Sequence, residues 1–190
     1  QSVINDNYIY CIGGLTSNAF GSTSVTRLVE RYNVINNTWE VLASLPELYA
    51  VMMGSAHVVN NKIYILSGYK NGFDDFLDVV LVYDIITNEW LHHELSSFEL
   101  SLYKRALAFS FVKDDVIYVA DGLYYEVPDP ERDEDGNITK TYDPIKRFLP
   151  DAYKYDTVGE IVERGEQDFI DMPRARYSGS VSAIGDRKST

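Results

Sequence analysis

Residues 8–14 read Tyr8-Ile9-Tyr10-Cys11-Ile12-Gly13-Gly14, and the pattern returns as Ile63-Tyr64-Ile65-Leu66-Ser67-Gly68 and as Ile117-Tyr118-Val119-Ala120-Asp121-Gly122. The isoleucines Ile9, Ile63 and Ile117 are 54 residues apart each time. β-Branched and aromatic residues that follow an Asn- or Asp-containing turn and end at a glycine are typical of short β-strands. The sequence therefore predicts three equivalent strands and an internal repeat.

A second strand pattern follows each of these stretches and ends in a tyrosine before Asn or Asp. These tyrosines are Tyr32, Tyr83 and Tyr155. Trp39 and Trp90 stand seven residues after the first two, whereas Val162 stands seven residues after Tyr155. Leu-Pro, Leu-Ser or Met-Pro and a strand of small residues then complete each unit, so we expect four strands per repeat.

The order of these features resembles the kelch repeat: a strand ending in Gly-Gly, then Tyr-Asp or Tyr-Asn, six further residues, Trp and Leu-Pro. A four-stranded sheet cannot bury both faces alone, and radial stacking of such sheets gives a β-propeller. The resemblance implies an all-β, kelch-type β-propeller with about three four-stranded blades, half or part of a ring of roughly six. We expect one propeller segment over residues 1–190, with blades at about 5–59, 60–113 and 114–184.

The glycine pair is complete only in the first repeat, because Ser67 and Asp121 replace its first member. Gly14, Gly68 and Gly122 keep the second position, where we expect a positive φ angle.

The third repeat is longer than the others. Its Tyr-Asp pair lies 72 residues after the second pair, against 51 residues between the first pair and the second. This difference predicts an insertion, an acidic loop at about 123–151. Residues 124–171 hold 14 acidic and 6 basic side chains.

Charge and cysteine content exclude several classes of protein. The 29 acidic and 17 basic residues give a net charge of −12, which repels phosphate backbones, so no nucleic acid partner is expected. No apolar run is long enough to span a bilayer, so no membrane association is expected. The single cysteine, Cys11, cannot form an intrachain disulfide, which is typical of a reducing compartment; we expect a cytoplasmic protein.

The resemblance to kelch proteins implies that one loop face binds partners. Its loops map to residues 15–26, 69–78 and 123–151 and to residues 47–51, 97–106 and 174–177. The large side chains in them are Phe20, Tyr49, Phe73, Phe76, Tyr103, Lys104, Arg105, Tyr124, Tyr125, Arg174, Arg176 and Tyr177. Tyr and Arg are common anchors of protein interfaces, and Arg pairs with carboxylates. If Arg105, Arg174 and Arg176 cluster, the predicted partner is an acidic peptide.

A calcium loop is one reading of the inserted segment. Glu131, Asp133 and Asp135 stand at positions 1, 3 and 5 of an EF-hand-like pattern with Gly136 at position 6. Tyr142 replaces the glutamate of position 12, and an ordinary hairpin tip explains the same residues. The histidines His57, His92 and His93 are not expected to converge, so no metal site is predicted from them, and no cofactor is predicted.

The predicted function is a protein–protein interaction module, a scaffold or substrate-recognition propeller without catalysis. The alternative is a carbohydrate- or small-molecule-active propeller, since some kelch-type propellers are sugar mutarotase-like or oxidase-like enzymes. The oxidase reading needs a copper site with histidines and a cross-linked cysteine, and no histidine neighbours Cys11 in sequence.

The two ends of the sequence suggest incomplete blades. Val3-Ile4 reads as the stub of an innermost strand, and the predicted strand at residues 180–184 lacks a following partner. Two alternatives follow: a homodimer in which this tail strand pairs with residues 8–12 of another copy and completes the ring, or further blades in the same polypeptide.

Overall fold

The computed structural model describes residues 1–73, 75–126 and 128–164. This part contains three four-stranded antiparallel sheets whose strands follow chain order, and we call them blades 1, 2 and 3. Blade 1 consists of Ser2–Asn5, Tyr8–Ile12, Val29–Asn33 and Thr38–Val41; blade 2 of Ser55–Val59, Lys62–Leu66, Val79–Asp84 and Glu89–Glu94; blade 3 of Phe109–Lys113, Val116–Ala120, Ala152–Asp156 and Ile161–Arg164.

The blades are arranged around their first strands. Ser2–Asn5 of blade 1 contacts Ser55–Val59 of blade 2, which in turn contacts Phe109–Lys113 of blade 3. The first strands therefore lie nearest a common axis and the fourth strands lie outermost, as in a β-propeller. The fold is all-β and forms part of a propeller ring, which confirms the predicted architecture.

The sheets begin one strand earlier than the blade boundaries estimated from the repeat. Ser55–Val59 pairs with Lys62–Leu66 rather than closing the preceding unit, because only a short turn separates the two strands. The hydrogen-bonded sheets thus run from 2 to 41, from 55 to 94 and from 109 to 164.

The tyrosine and tryptophan positions pair across the third and fourth strands. Tyr32 lies opposite Trp39 and Tyr83 lies opposite Trp90, with ring centroids 5.1 Å apart in both blades. In blade 3 the partner of Tyr155 is Val162, which is only 1% exposed. The spacing of seven residues read from the sequence is therefore the same cross-strand register in all three blades.

Tyrosines also join neighbouring blades. Tyr10 of blade 1 contacts Tyr83 of blade 2, with ring centroids 6.5 Å apart, and Tyr64 of blade 2 contacts Tyr155 of blade 3 at 5.9 Å. The second strand of one blade thus packs on the third strand of the next. Buried side chains from all three sheets form one continuous apolar core between the blades.

The second glycine of each pair has the predicted backbone conformation. The φ angles of Gly14, Gly68 and Gly122 are 100°, 94° and 118°. At Gly68 an added Cβ atom would lie 2.6 Å from the Met52 carbonyl oxygen, so glycine is required there for space as well as for its φ angle.

Two connections contain structure beyond the blades. Residues 97–106, expected to be a loop, begin with a helix, Ser97–Tyr103. The insertion forms an extended hairpin that we call the arm, residues 123–126 and 128–148. Its paired strands are Leu123–Glu126 with Ile145–Phe148 and Glu131–Arg132 with Ile138–Lys140; two smaller hairpins pair Leu15–Ser17 with Thr23–Val25 and Val51–Met52 with Tyr69–Lys70.

The first strand is more than the stub expected from the sequence. Ser2–Asn5 pairs with the second strand from Cys11 to Tyr8, and Val29–Asn33 occupies the other edge of that strand. Both edges of Tyr8–Ile12 are therefore occupied within the chain, which corrects the expectation that a tail strand of another copy pairs there. That tail strand, 180–184, lies outside the described residues. Within the described ranges, the structure has no helix with the length and apolar character of a membrane span.

Candidate functional site

The connections on one end of the sheets bring the predicted side chains together. Because the strands are antiparallel, the loop between a second and a third strand opens at the same end as the loop leading from a fourth strand to the next blade. Residues 67–78 and the arm are loops of the first kind, and residues 95–108 are of the second kind. The three segments meet at the boundary between blades 2 and 3.

Five aromatic rings make up the centre of this region, and we call them the aromatic cluster: Tyr69, Phe73, Phe76, Tyr124 and Tyr125. Tyr69 and Phe76 stack with centroids 4.9 Å apart, and Phe76 stacks on Tyr124 at 5.5 Å. Phe73 contacts Tyr69 edge-on at 5.6 Å and is 50% exposed. Burial, reinforced by the neighbouring Tyr125, raises the pKa of Tyr69, so this phenol stays neutral. The cluster attaches the base of the arm to the blade 2 loop and leaves Phe73 half-exposed and Tyr124 and Tyr125 partly exposed.

Two adjoining hollows lie beside the cluster, and together we call them the groove. The larger hollow has a volume of about 500 Å³, and the smaller one has a volume of about 370 Å³. Lys104 and Tyr124 line both, which makes the hollows neighbours. The remaining lining residues are Phe73, Asp75, Phe76, Tyr125 and Pro144 in the larger hollow and Ser97, Leu100, Ser101 and Leu149 in the smaller one.

The charges at the groove are compensated unequally. The Lys70 ammonium group lies 2.6 Å from Asp78 and 3.4 Å from Asp75, so the carboxylate of Asp75 already has a cation beside it. Across residues 1–73, 75–126 and 128–164, no carboxylate lies within ion-pair distance of the Lys104 ammonium group. Lys104 therefore presents a positive charge to the groove without an internal counterion in this part of the chain.

The two neighbours of Lys104 are buried, which corrects the expectation that they contact a partner. Tyr103 is 0% exposed; its hydroxyl group donates a hydrogen bond to the Val79 carbonyl at 2.7 Å and accepts one from the Ser67 amide at 2.9 Å. Arg105 is 1% exposed. The helix ends at Tyr103, and the extended backbone of Lys104 then directs successive side chains to opposite sides.

Arg105 serves as an internal connector. Its guanidinium group donates hydrogen bonds to the carbonyl oxygens of Leu102, Asp121 and Asp151 at 2.6, 3.0 and 3.1 Å. It also lies 3.2 Å from the Asp151 carboxylate. This arginine is unavailable to an acidic peptide, so the predicted cluster with Arg174 and Arg176 does not include it. Arg174, Arg176 and Tyr177 lie outside the described residues.

Two other predicted residues lie away from the groove. Phe20 is 94% exposed between the strands of the blade 1 hairpin. Tyr49 contacts His92, with ring centroids 5.8 Å apart. Of the residues singled out in the sequence, the groove thus gathers Phe73, Phe76, Lys104, Tyr124 and Tyr125. The sequence did not single out Tyr69 of the aromatic cluster or Leu100 of the smaller hollow. Tyr69 directly follows the Ser-Gly pair, and Leu100 lies in a helix that the Ser96-x-x-Glu99 pattern predicts.

The calcium candidate folds as a hairpin tip. The Asp133 carboxylate accepts hydrogen bonds from the amides of Asp135 and Asn137 at 3.1 and 2.8 Å. Bonds from the Asn137 side chain and backbone lower the pKa of Asp133, and Glu131 bonds to Tyr142 and Lys140 instead of joining Asp133. Within the described segments, no three His, Cys, Asp or Glu side chains converge on a common point. The geometry supports the hairpin alternative.

His57 lies near the propeller axis. Its Nε2 atom is 2.8 Å from the Ser110 hydroxyl, a bond between the first strands of blades 2 and 3. Burial lowers the pKa of His57 to about 4, so the ring is neutral and joins the two strands.

Comparison with known proteins agrees with this architecture. A sequence model of the kelch motif matches residues 2–46 and 53–91, which contain the first blade and all but the last three residues of the second. Kelch-like protein terF of Aspergillus terreus is 28% identical over 142 residues, covering 70% of this chain and 28% of the relative. Kelch repeat and BTB domain-containing protein 1 of vaccinia virus is 28% identical over 156 residues, covering 81% of this chain and 23% of the relative.

The fold, the repeated register and these matches define a kelch-type β-propeller. The chain is similar in sequence to kelch-repeat proteins, and the kelch motif matches lie in its first two blades. It spans about a quarter of the length of the two curated relatives. A solved structure, that of YjhT, superimposes with a TM-score of 0.62 at 19% identity over 90% of this chain and 52% of that chain, a likeness of fold. Kelch-repeat proteins generally act in protein–protein interaction.

Proposed function

We propose that this chain is a protein-binding module whose groove receives a segment of a partner protein. The observation that carries the proposal is the position of Phe73: half-exposed, at the edge of a buried aromatic cluster and beside a hollow of about 500 Å³. When a partner covers exposed rings beside a preformed hollow, apolar surface is removed from water, and this favours binding.

The composition of the groove fits such a partner. Interfaces are enriched in Tyr and Phe at their centre, with polar groups around them. Here Phe73, Tyr124 and Tyr125 supply the rings, while Asp75 and Lys104 supply polar groups at the edge. Volumes between about 300 and 1,000 Å³ are typical of small-molecule pockets, so each hollow is large enough to receive a side chain of a partner.

The similarity to kelch-repeat proteins supports a binding role but does not indicate a particular partner. Kelch repeats place loops from several blades at one end of a rigid sheet scaffold, and such loops carry binding residues. The carbohydrate- or small-molecule-active alternative stays a prediction, which no contact among the described residues favours over a protein partner.

The test is selection of binders followed by mutation of the groove. A phage-displayed library of random peptides is selected on the 190-residue chain, and each enriched peptide is then measured against variants by fluorescence polarisation. We expect Phe73→Ala and Tyr124→Ala to weaken binding by about tenfold or more, since aromatic anchors often contribute over 1–2 kcal/mol.

Phe20→Ala is the matched control, because Phe20 lies in a loop of the same kind in blade 1 but outside the groove. It should leave the affinities unchanged. Enriched peptides that bind all three variants equally well, or no enrichment at all, would contradict the assignment of the groove as the binding site.

A further inference from the structure

We infer that the groove receives an extended peptide segment with an aromatic and an acidic side chain two residues apart. This inference rests on the proposed function and names the chemistry of its partner. The aromatic side chain fills the larger hollow beside Phe73, and the carboxylate pairs with Lys104 at the boundary of the two hollows.

The charge of Lys104 is the first reason. The groove has one acidic lining residue, Asp75, which lies 3.4 Å from the Lys70 ammonium group that also pairs with Asp78 at 2.6 Å. Lys104 has no ion-pair partner in the described part of the chain. A carboxylate entering the groove therefore meets a positive charge without displacing an existing ion pair. A basic side chain meets repulsion from Lys104 and competition from Lys70.

The fixed position of Lys104 is the second reason. Tyr103 and Arg105 hold the backbone on either side of it. The Tyr103 hydroxyl donates one hydrogen bond and accepts another, and the Arg105 guanidinium group donates three. The chain cannot move at this point without breaking buried bonds. A side chain on a backbone held in this way costs less entropy to engage than one on a mobile loop, so Lys104 is suited to discriminate between partners.

The arrangement of the hollows sets the spacing. Lys104 and Tyr124 separate the aromatic hollow from the smaller one, which Leu100, Leu149 and the hydroxyl groups of Ser97 and Ser101 line. In an extended peptide, residues two apart point to the same side and lie about 6.6–6.8 Å from each other. A segment in that conformation places its aromatic ring in the first hollow and its carboxylate at the boundary.

The experiment uses an array of short Gly/Ser peptides as probes. Each carries Trp, Phe or Leu at one position and Glu, Gln or Lys two residues before or after it, and the array is incubated with the labelled 190-residue chain. We expect Trp or Phe with Glu to bind best and Gln to bind about tenfold more weakly, because a charge-assisted hydrogen bond is lost. Raised salt should reduce this difference.

Lys104→Glu should reverse the preference from Glu to Lys, and Lys104→Met should abolish the discrimination between Glu and Gln. Lys113→Glu is the matched control: it makes the same charge change at an exposed residue that ends the first strand of blade 3, at the opposite end of the sheets. It should leave the preference for Glu unchanged. Circular dichroism checks that each variant keeps its fold.

The outcomes separate this inference from the proposed function. Equal binding of Glu and Gln peptides, or a preference for Lys, combined with loss of binding in Phe73→Ala, overturns the acidic partner and leaves the groove as a binding site. Peptide binding that does not depend on Phe73 overturns both. A preference for Glu that survives Lys104→Glu overturns the role of Lys104.

Discussion

The Arg105 guanidinium group lies 5.0 Å from the ring centroid of Tyr153, and both side chains are fully buried where blade 2 meets blade 3. The same group bonds to the carbonyl oxygen of Leu102 in the short helix and to those of Asp121 and Asp151 at the two ends of the blade 3 connection. One side chain thus fixes the helix, the start of the insertion and its end relative to one another.

We predict that Arg105→Met lowers the free energy of unfolding by about 3–5 kcal/mol, measured by urea denaturation. The substitution removes the donor of the Leu102 and Asp121 carbonyl oxygens and the cation of the Asp151 carboxylate, whereas the Asp151 carbonyl oxygen keeps its bond from the Asp121 amide. The cost is therefore mostly that of unpaired buried groups.

Arg147→Met is the control for this prediction. Arg147 pairs with Glu126 at 2.6 Å on the arm, where both side chains are about half exposed. A surface pair contributes at most about 1 kcal/mol, so this variant should remain close to the parent chain. Similar losses for the two arginines would contradict the connector role of Arg105.

The Tyr103 hydroxyl carries a second prediction. Tyr103→Phe keeps the ring but removes the donor to Val79 and the acceptor for the Ser67 amide, and we expect a loss of about 1–3 kcal/mol in chemical denaturation. Tyr49→Phe makes the same chemical change at a half-buried ring that contacts His92, and it should cost less than about 0.5 kcal/mol. Equal effects would mean that the Tyr103 bonds do not stabilise the fold.

The blades could be predicted because their signals are local. Turn residues, alternating β-branched and aromatic side chains and the spacing between Tyr32 and Trp39 each depend on one blade, and each blade repeats them. The short helix was missed although the signal for it is also local. The Ser96 side chain accepts a bond from the Glu99 amide, and the Glu99 carboxylate accepts one from the Ser96 amide, as the Ser-x-x-Glu pattern predicts.

The groove could be predicted only in part, since exposure depends on distant contacts. Phe73, Lys104 and Tyr124 were identified as loop residues, and they do line it. Arg105 stands next to Lys104 in sequence, but its acceptors Asp121 and Asp151 lie 16 and 46 residues away. No local pattern indicates that these acceptors surround it, so the sequence could not show that Arg105 points inward.

Two glycines allow a third prediction that separates backbone strain from steric clash. Gly14 and Gly68 have φ angles of 100° and 94°, but an added Cβ meets nothing within 4 Å at Gly14 and meets the Met52 carbonyl oxygen at 2.6 Å at Gly68. Gly14→Ala should cost about 1–2 kcal/mol for the strained φ alone. Gly68→Ala should cost roughly 3 kcal/mol or more, because the backbone must also shift.

Thermal denaturation of the two alanine variants checks this difference. The Gly68 variant should melt several degrees below the Gly14 variant, as expected for an additional loss of 1–2 kcal/mol or so in a domain of this size. Equal melting temperatures would show that the contact between an added Cβ at residue 68 and the Met52 carbonyl oxygen does not destabilise the fold.

The Glu99 carboxylate links the helix to blade 3 and makes this link dependent on pH. It accepts hydrogen bonds from the backbone amides of Val162 at 2.9 Å and Ser96 at 2.8 Å. Partial burial alone would raise the pKa of Glu99, but these bonds, with a smaller effect of His93, outweigh it and lower the pKa below the usual 4.5. These bonds attach the helix to the fourth strand of blade 3 at Val162, the position that a tryptophan occupies in blades 1 and 2.

Because the pKa of Glu99 is lower in the folded state than in the unfolded state, the unfolded chain binds the proton more readily. The stabilisation is therefore complete above pH 4.5 and is lost as the pH falls through the folded-state pKa. We predict that Glu99→Gln costs about 1–2 kcal/mol near neutral pH and that its difference from the parent chain shrinks below pH 4.5. Urea denaturation across this range measures the difference.

Glu47→Gln, at an exposed residue, is the control and should change stability by less than about 0.5 kcal/mol near neutral pH. A Glu99→Gln deficit that stays constant as the pH falls would show that the carboxylate charge does not hold the helix to blade 3.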